Sequence, residues 1–418
     1  MRSGLAALTT RGRTLLAAGI TALFCGIALG QVSLSRVGLL LVVLPVASAA
    51  LIGLSQYRLS LVRTVEPRQV TAGQSALVTL QVSNAGRSLL GTVRLEDQVP
   101  WALGSRPRFV LGGLTRIWEH EVSYTVRSDV RGRFVLGPMT ARVTDPFGLV
   151  ELPRSFQTQA DLIVTPTVVR LPMTGLSGAW TGAGDNRPRA FASGSAEDVT
   201  VREYRHGDAL RRVHWRSSAR TGELMVRREE QPWQSRATVL LDNRLSAHRG
   251  HGAASSLEAA VSMAASIVTH LAERGFTVRL VTADGASASR SDAWHERRSG
   301  PDTRRLLEEL AVVDGVRRAV LETSWVADTA RTGTLIAVLG AVTEHDRAAL
   351  HRMVHHTEAP LAVALDVDAW LGRPTTDPAL DAAQSLRGLG WRAVAASPGS
   401  SLPQLWQELA TAPTRRSS

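Results

Sequence analysis

Residues 204–224 read YRHGDALRRVHWRSSARTGEL. Arg205, Arg211, Arg212, Arg216 and Arg220 there surround one Gly207-Asp208 turn and one large aromatic, Trp215. A guanidinium is seldom buried alone, because a desolvated charge must be paired and hydrogen-bonded. The run is therefore either a solvated face or a network tied by Asp208, Glu203 and Glu223. Either way it is no ordinary core element, and the cores must come from the chain on either side.

Downstream the pattern alternates between strand and helix. Apolar strands are predicted at Ala237–Leu241, Phe276–Val281, Thr334–Leu339, Leu361–Leu365 and Trp391–Ala395. Helices are predicted at Ser256–Glu273, with Leu257, Val261, Ala264, Val268 and Leu271 on one face, and at Asp302–Leu310, Glu344–Val354 and Leu402–Leu409. Continuous apolar strands separated by helices imply an α/β domain with a mostly parallel sheet, covered on both faces.

Upstream, Thr174–Ala196 loses all periodicity and reads as an exposed linker or mobile loop. Its Gly182-Ala183-Gly184 has no strand before it, no third glycine and no helix after it, so it is not a dinucleotide fingerprint. From about Tyr57 to Thr165 the period is two. Val78, Leu80 and Val82 alternate with Thr79, Gln81 and Ser83, and Val122, Tyr124 and Val126 with Glu121, Ser123 and Thr125. Short strands broken by Asn84-Ala85-Gly86, Gly112-Gly113 and Asp145-Pro146-Phe147-Gly148 point to an immunoglobulin-like β-sandwich.

The N-terminus holds two apolar runs, Leu15–Leu29 and Val37–Leu54, either side of the polar break Gln31–Arg36. Each is close to the length needed to cross a hydrocarbon core as a helix. A cleaved signal peptide is the competing reading of the first run. Arg2, Arg11 and Arg13 precede the hairpin and Arg58, Arg63 and Arg68 follow it, against Arg36 between the runs. The positive-inside rule then puts both ends and all later domains in the cytoplasm. The divisions are 1–55 for a transmembrane hairpin (spans about 14–30 and 37–54), 57–165 for the sandwich, 166–235 for linker and arginine-rich run, 236–412 for the α/β domain and 413–418 for a tail.

Composition adds little chemistry. The 48 basic residues against 37 acidic give +11, but no lysine occurs, so the charge reflects coding bias more than phosphate binding. Acidic residues interleave through the arginine-rich region, which favours a protein-facing surface over a nucleic-acid track. The single cysteine, Cys25, excludes an intrachain disulfide and a thiolate metal cage. No phosphate loop, HExxH or GxSxG pattern occurs. His248, His251, His351, His355 and His356 invite zinc, and His351 and His355 could share a helical face, but no cysteine or carboxylate completes a set. His214 near Asp208 lacks a nucleophile or oxyanion donor. No catalytic residue, and no enzyme, is expected.

Tyr204, Gly207-Asp208, Arg211, His214-Trp215 and Ser218-Ala219-Arg220, followed by Gly222 and Leu224, resemble the signature of the bacterial domain-of-unknown-function family 58. Gly137-Pro138 and Asp145-Pro146-Phe147-Gly148-Leu149 resemble it again. The resemblance implies a von Willebrand factor A-like domain over residues 236–412. In such domains an Asp-x-Ser-x-Ser pattern after the first strand holds a divalent cation; here the positions are Asp242, Arg244 and Ser246. Arg244 sets a fixed positive charge where a hard cation wants oxygen, and Thr334–Leu339 runs into Gly340-Ala341-Val342 instead of an aspartate. Arg244 is expected to pair with Asp242 in the space of the ion, and no cofactor is expected. Kinship also implies association with MoxR-type AAA+ ATPases. The expected role is a membrane-anchored adaptor or scaffold in envelope complex assembly, with Tyr204, Gly207, Asp208, Arg211, His214, Trp215, Arg216, Ser218 and Arg220 as its interaction surface. The alternatives are a cation-dependent ligand binder, or an enzyme with a site near Asp208 and His214.

Overall fold

The computed structural model describes residues 7–54, 59–86, 92–112, 117–173, 201–203, 215–227, 236–285, 303–327, 333–372 and 378–411. Two compact units emerge: Met1–Val168 with His251–Ala254 and Leu307–Asp314, and Val169–Gly250 with Ser255–Leu306 and Gly315–Ser418.

The first unit opens with two packed helices, α1 (Thr10–Ala28) and α2 (Val32–Leu54). They meet through small residues: a Cβ on Gly19 would come within 2.9 Å of Leu41 and Val42, and one on Gly38 within 2.5 Å of the Leu23 nitrogen. Many outward side chains are large and apolar, with Phe24, Ile27 and Leu40 at 75%, 70% and 64% exposure. Val32–Ile52, 21 residues, is long and apolar enough to cross a membrane. The turn between the helices is tighter than the sequence pattern suggested. Gln31 N donates to Gly26 O (2.9 Å) and the Ser35 hydroxyl back to Gln31 O (3.2 Å), so α2 starts at Val32 and Arg36 lies inside it instead of in a loop.

Among the described residues ten strands follow: β1 (Leu59–Glu66), β2 (Gln69–Thr71), β3 (Ser75–Asn84), β4 (Thr92–Asp97), β5 (Arg108–Leu111), β6 (Trp118–Arg127), β7 (Gly132–Leu136), β8 (Met139–Thr144), β9 (Glu151–Phe156) and β10 (Ala160–Thr165). They form sheets in the orders β1-β3-β6, β5-β4-β8-β9 and β2-β10-β7, antiparallel except for β2 with β10. The period-two pattern places Val78, Leu80 and Val82 inside, against Val93, Leu95, Ala141 and Val143 from the facing sheet, with Leu136, Leu162 and Val164 closing the same core. The result is a β-sandwich.

One charge network crosses this core. Arg63 Nη2 reaches Asp97 Oδ1, Arg63 Nη1 donates to Leu136 O (3.0 Å) and to Thr158 O, and Tyr124 Oη donates to Asp97 Oδ2 (2.6 Å). Burial pushes the Asp97 carboxyl up, against the bonds from Tyr124 and Arg63 that pull it down. The pair is thus costly to bury and more costly to break. Gly137 lies against it, where a side chain would run into the Arg63 guanidinium.

The second unit contains a hairpin of β11 (Val201–Glu203) and β12 (Met225–Arg227), joined through the short helix α3 (Trp215–Thr221). Its main sheet is built of β13 (Arg236–Leu241), β14 (Thr277–Thr282), β15 (Thr334–Leu339), β16 (Ala359–Leu365) and β17 (Arg392–Ala396). Its helices are α4 (Ser256–Glu273), the first part of α5 (Thr303–Ala311), which from Leu307 onward belongs to the first unit, α6 (Ser324–Ala327), α7 (Arg347–His355), α8 (Pro378–Gly388) and α9 (Leu402–Thr411). All strand pairs in this sheet are parallel, in the order β14-β13-β15-β16-β17. Leu240, Ala337, Ala362 and Ala393 share one core cluster with Trp325, Leu350, Met353 and Leu386, so α6, α7 and α8 cover that face. The alternate residues Val239, Leu241, Ile336 and Val363 are equally buried, on the side where α4 and α9 meet through His270 and Trp406, 5.4 Å between ring centroids. Continuous apolar strands follow from that double cover.

We expect Arg63→Ala to destabilise the sandwich by about 3–5 kcal/mol, since it leaves Asp97 buried and unpaired. Tyr124→Phe should cost only about 1 kcal/mol, the net worth of one hydrogen bond. Urea melts of the detergent-solubilised protein check both. Equal losses would contradict the network.

Candidate functional site

Counted within its sheet, the strand order is 2-1-3-4-5, so the chain reverses its direction of travel between β13 and β15. In open parallel sheets that reversal leaves a crevice beyond the carboxyl ends of the two strands, where ligands commonly bind. Here Asp242 directly follows β13 and Gly340 directly follows β15, and the two are hydrogen-bonded to each other.

The crevice is filled from within. Arg244 is 2% exposed and Asp242 and Asp346 are fully buried. Arg244 Nε donates to Asp242 Oδ1 (2.9 Å) and Nη2 to Asp242 Oδ2 (2.9 Å). Its Nη1 donates to Asp346 Oδ1 (2.6 Å) and to Ala319 O (3.0 Å). Backbone amides complete both carboxylates: Arg244 N and Gly340 N donate to Asp242 (3.2 and 3.3 Å), and Thr343 N to Asp346 Oδ2 (3.0 Å). Burial alone would ease the proton off Arg244, but the bonds and charge of Asp242, then Asp346, outweigh it and hold the guanidinium more firmly protonated than usual. Only a planar fork can serve two carboxylates and a carbonyl at once.

Local folding fixes each piece. Leu245 N donates to Val316 O (2.9 Å) and Val316 N to Asn243 O (2.8 Å), which tethers the loop after β13. Asp346 belongs to a capping box with Thr343 at the start of the turn leading into α7. His248 Nε2 donates to Asp242 O (2.6 Å), and Ser256 Oγ supplies a proton to His248 Nδ1 (3.0 Å) while accepting from Arg249 N (2.9 Å). Burial lowers the affinity of His248 for a further proton; Arg244 and Arg249 act the same way, and Asp242 opposes them.

A divalent cation does not fit these residues as they stand. Both oxygens of Asp242 are taken by the guanidinium, and Ser246, exposed, turns its hydroxyl toward Arg318 O (3.4 Å). The pairing of Arg244 with Asp242 was legible in the sequence. Asp346, 102 residues away, was not, although the Thr343-x-x-Asp346 cap was a signal for its burial.

Of the arginine-rich signature, Tyr204, Gly207, Asp208, Arg211 and His214 lie outside the described residues. Trp215, at the start of α3, is 70% exposed, and Arg220 and Glu223 are exposed. Ser218 Oγ accepts from Met225 N (2.8 Å) and so braces α3 on β12. The side chain of Arg216 is not among those described. His351 and His355 do share a helical face, with their Nε2 atoms 3.2 Å apart, and His356 is exposed beside them. Among the described residues no third metal-ligating side chain joins them.

Residues 200–334 match the family described as "Protein of unknown function DUF58", a span that takes in the signature and Asp242 but not the sandwich. No curated protein matches the chain. Among solved structures, the CARDB domain of the PF1109 protein from Pyrococcus furiosus, in complex with di-metal ions, is 18% identical and covers 26% of this chain and 93% of its own, with a TM-score of 0.19. The putative ApaA protein from Bordetella pertussis is 10% identical over 26% of this chain and 94% of its own, with a TM-score of 0.20.

Arg244→Ala should lower the stability of this unit by about 3–5 kcal/mol, because it strands two buried carboxylates. His248 gives a pH dependence of its own. Its folded pKa lies below the unfolded value near 6.5, so between the two the unfolded chain binds more protons. Its contribution is therefore complete above about pH 6.5 and is lost as the pH falls toward the folded pKa. His270, also held low by burial, adds in the same sense. Urea midpoints for wild type and His248→Gln should converge on acidification; parallel pH profiles would contradict this placement of His248.

Proposed function

We propose, from the match of residues 200–334 to the DUF58 family, that this chain is a membrane-anchored, non-enzymatic adaptor that presents its C-terminal unit to protein partners. The observation that carries this reading is Trp215, held 70% exposed on a braced three-element hairpin with Arg220 also open to solvent. Tryptophan and arginine supply the rigid area and planar donors on which protein interfaces depend. The crevice where a sheet of this order would take a small ligand is occupied by Arg244, which favours an adaptor over a ligand binder.

In this reading both α1 and α2 cross the membrane. Small residues between the helices and large apolar ones outside are the arrangement lipid favours. Among the described residues α2 is the helix both long and apolar enough to cross outright, whereas α1, 19 residues long, carries Arg11 and Arg13 in its first turn. The flanking arginines support a cytoplasmic location for both soluble units. The immunoglobulin-like character of the sandwich and the von Willebrand A-like character of the parallel sheet belong to the same reading, as does a MoxR-type AAA+ ATPase as partner.

Affinity capture of the full-length protein from native membranes, with Trp215→Ala in parallel, tests the proposal. A surface tryptophan away from the core should be removed at little cost in stability. Recovery of a MoxR-type ATPase with wild type and its loss with the folded variant is the expected result; equal recovery with both would remove the signature from the interface.

A further inference from the structure

The start of α1 is hydrogen-bonded directly to the sandwich. Leu8 bridges Val150 in antiparallel fashion, and Glu151 N donates to Ala7 O (2.8 Å). Thr9 N then donates to Leu149 O (2.9 Å) and Thr9 Oγ1 to Gly148 O (2.8 Å), while the same hydroxyl accepts from Gly12 N (3.2 Å) as the cap of α1. The helix thus begins on the very residue that holds the turn before β9. Gly12 packs so closely on the Leu149 carbonyl that a Cβ there would collide with it. Leu8, Ile52, Leu149 and Val150 form one buried cluster, with Leu15, Leu16, Leu44 and Ala49 against it. Leu149 therefore stands level with Ile52, the last residue of the apolar stretch of α2.

The turn itself is rigid. Asp145 accepts from Val150 N (2.7 Å) and Phe147 N (3.1 Å) through its carboxylate, and its carbonyl accepts from Gly148 N (3.0 Å). This frame holds Phe147 outward, 61% exposed, with Pro146 beside it. An aromatic ring fixed in water forgoes the stabilisation that burial of its area would give. At the level of the first turn of α1, the neighbouring medium is the bilayer interface, where rings of this kind are favoured. Arg11 and Arg13, both exposed on that turn, suit the phosphate level of the same layer.

We propose that the Asp145–Leu149 turn is a bilayer-contact element, with Phe147 seated in the interfacial layer so that the sandwich rests directly on the membrane surface. The proposal builds on the reading of α1 and α2 as a membrane hairpin and adds a third point of contact.

The test uses full-length protein in nanodiscs of phosphatidylethanolamine and phosphatidylglycerol. A nitroxide is attached singly at Cys25, at Phe147→Cys or at Gln81→Cys, the last two in a Cys25→Ser background, and its relaxation by oxygen is compared with that by a water-soluble nickel chelate. Cys25 and Gln81 are exposed, on α1 and on the sandwich. The expected oxygen-to-nickel ratio at 147 is several-fold above that at 81 and approaches that at 25. A ratio at 147 equal to that at 81, with 25 still in lipid, overturns the proposal and leaves the hairpin standing, with the turn then free for a protein partner. Water-like ratios at both 25 and 147 overturn the hairpin and the proposal together.

Discussion

The Arg244 guanidinium, shared between Asp242 and Asp346, is the constraint around which the C-terminal unit is arranged. It joins the loop after β13, the strand-like segment near Val316 and the turn that opens α7, three stretches far apart in sequence. A buried cation is costly to desolvate, and it is tolerated here because its bonds run to two carboxylates and a carbonyl. The same requirement explains why each carboxylate also receives backbone amides: an oxygen left over in this setting would cost as much as a lost hydrogen bond.

The sandwich solves its own problem with the same chemistry. Arg63 crosses its core to Asp97 and two carbonyls, and Tyr124 takes the remaining carboxylate oxygen. In a chain without lysine, Arg63 and Arg244 are both forks that bind several acceptors in one plane. The two networks differ in consequence. That of Arg63 lies inside an apolar core and organises strands, whereas that of Arg244 lies at the strand-order reversal of a parallel sheet, where it takes the space of a ligand. The signature helix keeps Trp215 open to solvent.

Most of the C-terminal unit could be read from periodicity. Thr334–Leu339 and Ser256–Glu273 were predicted with the ends they have, because an unbroken apolar strand and a one-faced helix are each unambiguous. The alternation read over Val78–Ser83 and Glu121–Val126 lies within the longer sandwich strands Ser75–Asn84 and Trp118–Arg127. Misses fell where pattern carries no such information. Trp215–Thr221 is helical without an apolar stripe, and Pro378–Gly388 is a helix of mixed small and polar residues. Arg36 sits inside α2 because Ser35 bonds back to Gln31 at the turn before it, a matter of hydrogen bonds that hydropathy does not record. Within the candidate site, Asp242 and Arg244 are neighbours in sequence and announced themselves. Asp346 reaches them only through the fold.

The central claim is that Arg244 is the resident cation of the crevice at Asp242. Isothermal titration of the full-length protein with magnesium, for wild type and Arg244→Ser, tests it most directly. The account predicts no binding heat for wild type, because both Asp242 oxygens are already engaged by a tethered charge. Saturable magnesium binding by wild type that disappears in Asp242→Asn would contradict it, and would make Arg244 a side chain that an ion displaces.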